Sequence, residues 1–140
     1  MVLADTGYWL ALANARDRWH EAAVTVTRRL DEVLVVTWPV VTETCYLMLT
    51  RLGVQAELRF IEQISRNAGI HEIGQEHLGA IRALMEQYAH LPMDLANASL
   101  VLAATQLGEG RILSTDRRDF DIYRWKDTEP FHNLLEAWDG

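Results

Sequence analysis

Apolar positions along the chain fall into two rhythms: short unbroken runs, and longer stretches in which they recur every three or four residues. The first run, in "MVLADTGYW", ends at Asp5, and Thr6-Gly7 offers a turn before "YWLALANA" reads as a helix. In "DRWHEAAVTVTRRLDE", Trp19, Ala22, Ala23, Val26 and Leu30 keep helical spacing, and "VLVVTWP" follows as a buried strand ending near Thr37 and stopped by Pro39. From Pro39, "VVTETCYLMLTRLG" suits a helix with proline in its first turn and Gly53 past its end, which places Glu43 about one turn in. A further helix fits "VQAELRFIEQISRNAG", a brief strand "IHEIG", and another amphipathic helix "QEHLGAIRALMEQYAH", broken at Leu91-Pro92. "PMDLANASLVLAATQLG" forms a strongly apolar helix closed by Gly108. "GRILSTDRRDF" then supplies a strand, Ile112 to Ser114, running into Thr115-Asp116. The tail "IYRWKDTEPFHNLL" reads as one or two short strands around a charged turn.

Strands alternating with helices imply an α/β fold, a parallel sheet covered on both faces. At 140 residues, with no repeat, linker or low-complexity tract, a single domain over 1–140 is expected. No run approaches the roughly 20 apolar residues of a membrane span, and no basic segment followed by a long apolar one opens the chain, so a cytoplasmic location is the default expectation. Cys45 is the only cysteine, which excludes an intrachain disulfide and a cysteine-based zinc site. His71 and His77 fall in different elements and His20, His90 and His132 are isolated, which argues against histidine-bound zinc.

The net charge of −7 argues at first against a nucleic-acid partner, because phosphate binding rests on Lys and Arg. Twelve of the 13 basic residues are Arg, however, the side chain with the planar fork suited to phosphate, and Arg117 and Arg118 adjoin Asp116. A cluster of carboxylates that holds divalent metal would also neutralise part of the negative excess.

Such a cluster is what the order of elements suggests. Sites in open parallel sheets form outside the C-terminal ends of strands; Asp5 and Asp116 fall there, Glu43 follows the second strand, and Asp94 and Asn97 open the apolar helix. Two carboxylates about 5 Å apart at an effective dielectric of roughly 20 repel by about 3 kcal/mol, so a group of them either binds a cation or holds protons. Hard cations such as Mg²⁺ suit oxygen donors of this kind, and can activate water against a phosphodiester.

"LADTGYWLAL", "VTWPVVTETCYL", "MDLANASLVLAATQLG" and "ILSTDRRDF", in this order and spacing, resemble a PIN domain, most closely the VapC-type toxins of bacterial toxin–antitoxin pairs. The resemblance implies a PIN-like three-layer fold, with a central, mostly parallel, twisted sheet flanked by helices. It implies a Mg²⁺- or Mn²⁺-dependent endoribonuclease that cuts structured RNA such as tRNA or rRNA, forms a homodimer and is neutralised by a VapB-type antitoxin. Asp5 then matches the first acid, Glu43 the second and Asp116 the last. Thr6, Thr115, Arg117 and Asp119 are outer-shell or RNA-contacting candidates.

The departure is at the third acid, where this chain has Asn97. An amide has the shape of a carboxylate without its charge, and it cannot act as a base, so cation binding and activity are expected to fall. Asp94, three residues earlier, suits a helix cap, although it can also complete the metal set of Asp5, Asn97 and Asp116. A non-catalytic PIN module that binds RNA or an antitoxin without cutting is the competing expectation, and Asn97 is its support. An aspartyl-phosphate enzyme using Asp5 is disfavoured because "DTG" lacks the second Asp two residues on. The Trp residues, Trp9 and Trp38 among them, are expected as core or interface anchors, and the apolar face of "YWLALANA" with "EAAVTVTRRL" as a docking place for a partner helix.

Overall fold

A computed structural model describes residues 1–135 of the chain. Its frame is a sheet of five parallel strands in the order β3-β2-β1-β4-β7, made of β1 (Val2–Ala4), β2 (Leu34–Thr37), β3 (Ala68–His71), β4 (Arg111–Leu113) and β7 (His132–Asn133). Helices α1 (Thr6–Ala13), α2 (His20–Arg29), α3 (Trp38–Leu52), α4 (Val54–Asn67), α5 (Leu78–Gln87) and α6 (Leu95–Leu107) connect the first four strands and cover both faces, giving the expected three layers.

Local chemistry fixes the helix starts. Asp5 caps α1 by accepting the Thr6 N–H, Thr37 caps α3 ahead of Pro39, and Asp94 caps α6 by accepting the Asn97 N–H at 2.8 Å. Thr6 and Gly7 are therefore the first turn of α1 rather than a turn preceding it; the cap at Asp5 lets the helix begin directly at the strand end. At the other ends, Gly53 (φ 100°) separates α3 from α4, and Gly108 (φ 66°) closes α6 in the left-handed region that favours glycine.

The sheet interior is completely buried at Leu3, Val36, Ile112 and Leu113. Nine consecutive residues of α6, Ala96 to Ala104, are buried; seven are apolar, and the two polar ones, Asn97 and Ser99, are hydrogen-bonded. Its small side chains let it pack closely between α3 and α5 and against β2, where the Ser99 and Thr37 hydroxyls meet at 2.6 Å. On α1, Tyr8, Trp9, Leu10 and Ala11 are buried within the chain, Tyr8 bonded to Thr27 of α2 and Trp9 edge-on to Phe60 of α4. The apolar face of α1 anticipated as a docking place is thus filled by the chain's own helices. Trp9 is a core anchor, whereas Trp38 is half exposed.

The C-terminal part departs most from expectation. Arg117–Ile122 forms a short helix, α7, capped by Asp116, and the tail carries three two-residue strands rather than one or two. β5 (Arg124–Trp125) and β6 (Glu129–Pro130) make an antiparallel hairpin about the charged turn, with Lys126 (φ 47°) and Asp127 (φ 65°) both left-handed, and β7 returns to the main sheet.

Candidate active site

The chain lays β1, β2 and β3 to one side and then returns to place β4 and β7 on the other, so the strand order reverses between β1 and β4. Open parallel sheets leave a crevice at such a reversal, beyond the strands' C-terminal ends. There the structure has a cleft of about 330 Å³ into which Asp5, Glu43, Asp94, Asn97 and Asp116 all face.

Asp5 leaves the end of β1, where its own N–H still bonds to Leu113 O of β4 at 3.0 Å. Its carboxylate accepts the Thr6 N–H at 2.7 Å and the Ser114 hydroxyl at 2.8 Å. Ser114 also accepts the Asp116 N–H at 2.9 Å, so one hydroxyl ties the two acids' segments together. Ser114 is itself clamped by Asn133 of β7, whose Oδ1 accepts the Ser114 N–H at 3.2 Å and whose Nδ2 donates to the Ser114 carbonyl at 2.8 Å.

Asn97, in the first turn of α6, donates from Nδ2 to Asp116 Oδ2 at 3.2 Å and to the Tyr123 hydroxyl at 3.5 Å. The other Asp116 oxygen accepts the Asp119 N–H at 3.4 Å, capping α7. Glu43 lies on the stripe of α3 that carries Leu47 and Arg51, spaced four apart, and the three line one wall. Asp94 is exposed at the rim, one carboxylate oxygen engaged as the α6 cap.

Burial pushes the Asp5 carboxyl up to about 7, with Glu43 and Asp116 adding to the rise and the Ser114 and Thr6 hydrogen bonds opposing it. Burial, then Asp116, raises Asp119 to about 6, while Arg118 pulls it down. Tyr123 is pushed up to about 12, again chiefly by burial. Arg111, paired with Glu32 at 2.7 Å and with Glu109 at 3.0 Å, lies at the opposite ends of the strands.

The remaining candidates have varied places. Thr6 and Thr115 line the cleft, Thr6 accepting a hydrogen bond from Thr44 of α3 at 3.2 Å. Arg117 lies over the Trp19 ring, 5.5 Å from its centroid. Among the described residues, no three His, Cys, Asp or Glu side chains stand close enough together to grip one ion. The third position holds an amide bonded to Asp116, and one Asp94 oxygen is engaged as the cap of α6.

Sequence reading missed Ser114, Asn133, Thr44, Asp17, Trp19 and Arg51. Ser114 stands in "ILSTD" at a strand end, which was a usable signal; Asn133 acts across 19 residues and leaves no local trace.

The PIN domain family profile matches residues 2–126. Ribonuclease VapC26 of Mycobacterium tuberculosis (strain ATCC 25618 / H37Rv) is 29% identical over 124 residues, covering 88% of this chain and 92% of its own length. The crystal structure of Mycobacterium tuberculosis VapC20, described as a sarcin-ricin loop cleaving toxin, superposes with a TM-score of 0.77 at 18% identity, over 84% of this chain and 92% of that one. A parallel sheet with its crevice at the β1–β4 reversal, acids at both strand ends, and a family match over nearly the whole chain together establish that the chain belongs to the PIN domain family.

Proposed function

We propose that this chain is a VapC-type ribonuclease whose cleft holds Mg²⁺ or Mn²⁺ through Asp5 and Asp116, with the Asn97 position and Asp94 completing the set. The observation that supports this best is the meeting of Asp5 from β1 with Asp116 from β4 across the Ser114 hydroxyl, in a cleft that also takes Glu43. The donor set fits a hard cation: it is all oxygen apart from one amide, and the buried Asp5 carboxyl has only hydrogen bonds to offset its desolvation and two acidic neighbours.

Such an ion would supply Lewis-acid polarisation of the phosphate and lower the pKa of the attacking water. Ser114 and the Thr6 N–H orient the Asp5 carboxylate. Glu43, on the α3 wall, takes the proton of the water as its oxygen bonds to phosphorus, the P–O3′ bond breaks, and the departing 3′ oxygen takes a proton from solvent, giving a 5′-phosphate and a 3′-hydroxyl. Asn97 neither carries charge nor takes a proton, and its Nδ2 occupies one Asp116 oxygen, so cation affinity and turnover in this chain are low.

The test is Mn²⁺ calorimetry with RNA cleavage assayed in parallel, on this chain and on Asn97→Asp. The variant is expected to bind the ion at least tenfold more tightly and to cut; a variant that neither binds nor cuts would overturn the reading. The second reading, a PIN module that binds RNA or an antitoxin without cutting, is favoured by the Asn97–Asp116 hydrogen bond, which satisfies the site internally. Under it, both chains bind RNA and neither cleaves.

The first reading brings with it a structured RNA substrate, a VapB-type antitoxin, a second copy of the chain and a cytoplasmic setting. The side chains of Tyr46 and Leu49 on α3, and of Leu58 and Ile61 on α4, are exposed and would bury surface in such a dimer. Sedimentation of Leu58→Glu against the unaltered chain tests this: a dimer should become a monomer.

A further inference from the structure

The proposed reaction needs the carboxylates of Asp5 and Asp116, which follow two different strands, to be held in one arrangement. Asp5 takes the Thr6 N–H on one oxygen, but what joins it to the Asp116 segment is the Ser114 hydroxyl, at 2.8 and 2.9 Å. A serine side chain turns about a single bond, so its hydroxyl aims at both segments only while the backbone at residue 114 is fixed.

Strand β4 does not itself fix that backbone. It ends at Leu113, and on the β7 side the Ile112 carbonyl accepts the Leu134 N–H at 2.8 Å. Alternate residues of a strand direct their backbone groups to the same side, so Ser114 presents its N–H and its carbonyl towards β7 as well. A continuing strand would meet them with its next peptides, but the tail turns after Asn133. The Asn133 carboxamide takes the place of those peptides: Oδ1 accepts the Ser114 N–H at 3.2 Å and Nδ2 donates to the Ser114 carbonyl at 2.8 Å. Oδ1 also accepts the Leu135 N–H at 3.1 Å, so the orientation of the amide follows from its partners, two N–H groups on oxygen and a carbonyl on nitrogen. Asn133 and Ser114 are both buried, and bulk solvent does not replace either bond.

Resting on the ribonuclease reading, we propose that Asn133 is a positioning residue for the metal site: its carboxamide stands in for a strand peptide, locks the Ser114 backbone, and through the Ser114 hydroxyl sets the Asp5 and Asp116 carboxylates for the cation. Its amide bonds go to Ser114 and Leu135 rather than to either acid, so its effect on the site passes through Ser114.

The test uses the Asn97→Asp background, where tight Mn²⁺ binding is expected. Mn²⁺ calorimetry is run on that protein alone and combined with Asn133→Ala, with Ser114→Ala and with both, and each is melted in urea. Asn133→Ala should weaken Mn²⁺ binding roughly tenfold, the low end for groups that orient a metal ligand. In the Ser114→Ala background the same change should cost no further affinity, because the hydroxyl it aims is already gone. A merely structural role lowers stability without this coupling. Leu135→Ala, which truncates a fully buried side chain of the same tail, should lower stability and leave Mn²⁺ affinity in place. Asn133→Leu, similar in size but with neither donor nor acceptor, should reproduce the alanine result and supplies the readout if the alanine variant does not fold.

Unchanged Mn²⁺ affinity in a folded Asn133 variant, or a loss as large with Ser114→Ala as without it, would overturn the proposal and leave the ribonuclease reading standing. An equal loss in Leu135→Ala would overturn it too, by assigning the effect to docking of the tail. If Asn97→Asp with Asn133 and Ser114 unaltered binds no Mn²⁺ and cuts no RNA, the ribonuclease reading fails and this inference fails with it.

Discussion

Ser114 carries more of the site than any acid does. Its hydroxyl donates to Asp5 at 2.8 Å and accepts the Asp116 N–H at 2.9 Å, so Ser114→Ala leaves a buried carboxylate oxygen and a backbone N–H without partners. A loss of about 1–3 kcal/mol in urea melts is expected. In the Asn97→Asp background, Mn²⁺ affinity should also fall roughly 10- to 100-fold, as for other groups that orient a metal ligand.

Asp5 makes the stability of the cation-free protein depend on pH. Its folded-state value of about 7 lies above the ordinary 3.8, so the protonated form favours folding. That contribution is whole below about pH 4 and is lost as the pH rises towards 7. Asp119, raised to about 6, acts in the same direction, whereas Glu32, held down to about 2 by Arg111 and the N-terminal amine, loses its contribution only in more acid solution. Thermal melts in chelator should therefore fall from pH 4.5 to 7, less steeply in Asp5→Asn. A slope unchanged in that variant would contradict the role given to this carboxyl. At this scale the acids were legible from their places at strand ends, but Ser114 was not singled out, because a serine at a strand end has many ordinary uses.

The helices were legible wherever the cap and the apolar period agreed, as at Thr37-Trp38-Pro39 and at Asp94. Asp94 shows how a cap can be distinguished from a ligand. Asp94→Ala should cost about 1 kcal/mol through the lost α6 cap, while Asp94→Asn, an equally good cap, should leave stability unchanged. If Asp94→Asn in the Asn97→Asp background also leaves Mn²⁺ affinity unchanged, Asp94 serves α6 alone; a clear loss makes it part of the metal set.

The start of α1 is constrained from outside the helix. A methyl group on Gly7 would run into the Thr115 hydroxyl at the other strand end, so Gly7→Ala should destabilise by about 1–3 kcal/mol, partly relieved by Thr115→Ala. Helix α7 escaped sequence reading because its six residues carry two Arg and two Asp with little apolar period, and because its cap, Asp116, had already been assigned to the cleft. The side chain serves both: one oxygen caps α7 and the other meets Asn97.

At the level of the whole molecule, alternation of strands and helices was enough to imply a parallel sheet, since every connection from β1 to β4 runs through at least one helix. The strand order was not readable from spacing, and neither was the return of two residues, His132 and Asn133, beside β4, where Asn133 steadies Ser114 from 19 residues away. Acidic side chains gather at the β1–β4 reversal while Arg51 lines the same cleft and Arg117 lies over the neighbouring Trp19 ring, so a net charge of −7 does not count against the proposed RNA substrate.

The most direct test of the central claim is Mn²⁺ calorimetry on this chain and on Asn97→Asp, with RNA cleavage followed in the same samples. Tight binding and cutting should appear together when the carboxylate is restored, and both should vanish again in Asn97→Asp combined with Asp116→Asn. Neither binding nor cleavage in Asn97→Asp would contradict the assignment of this cleft as a metal-dependent ribonuclease centre.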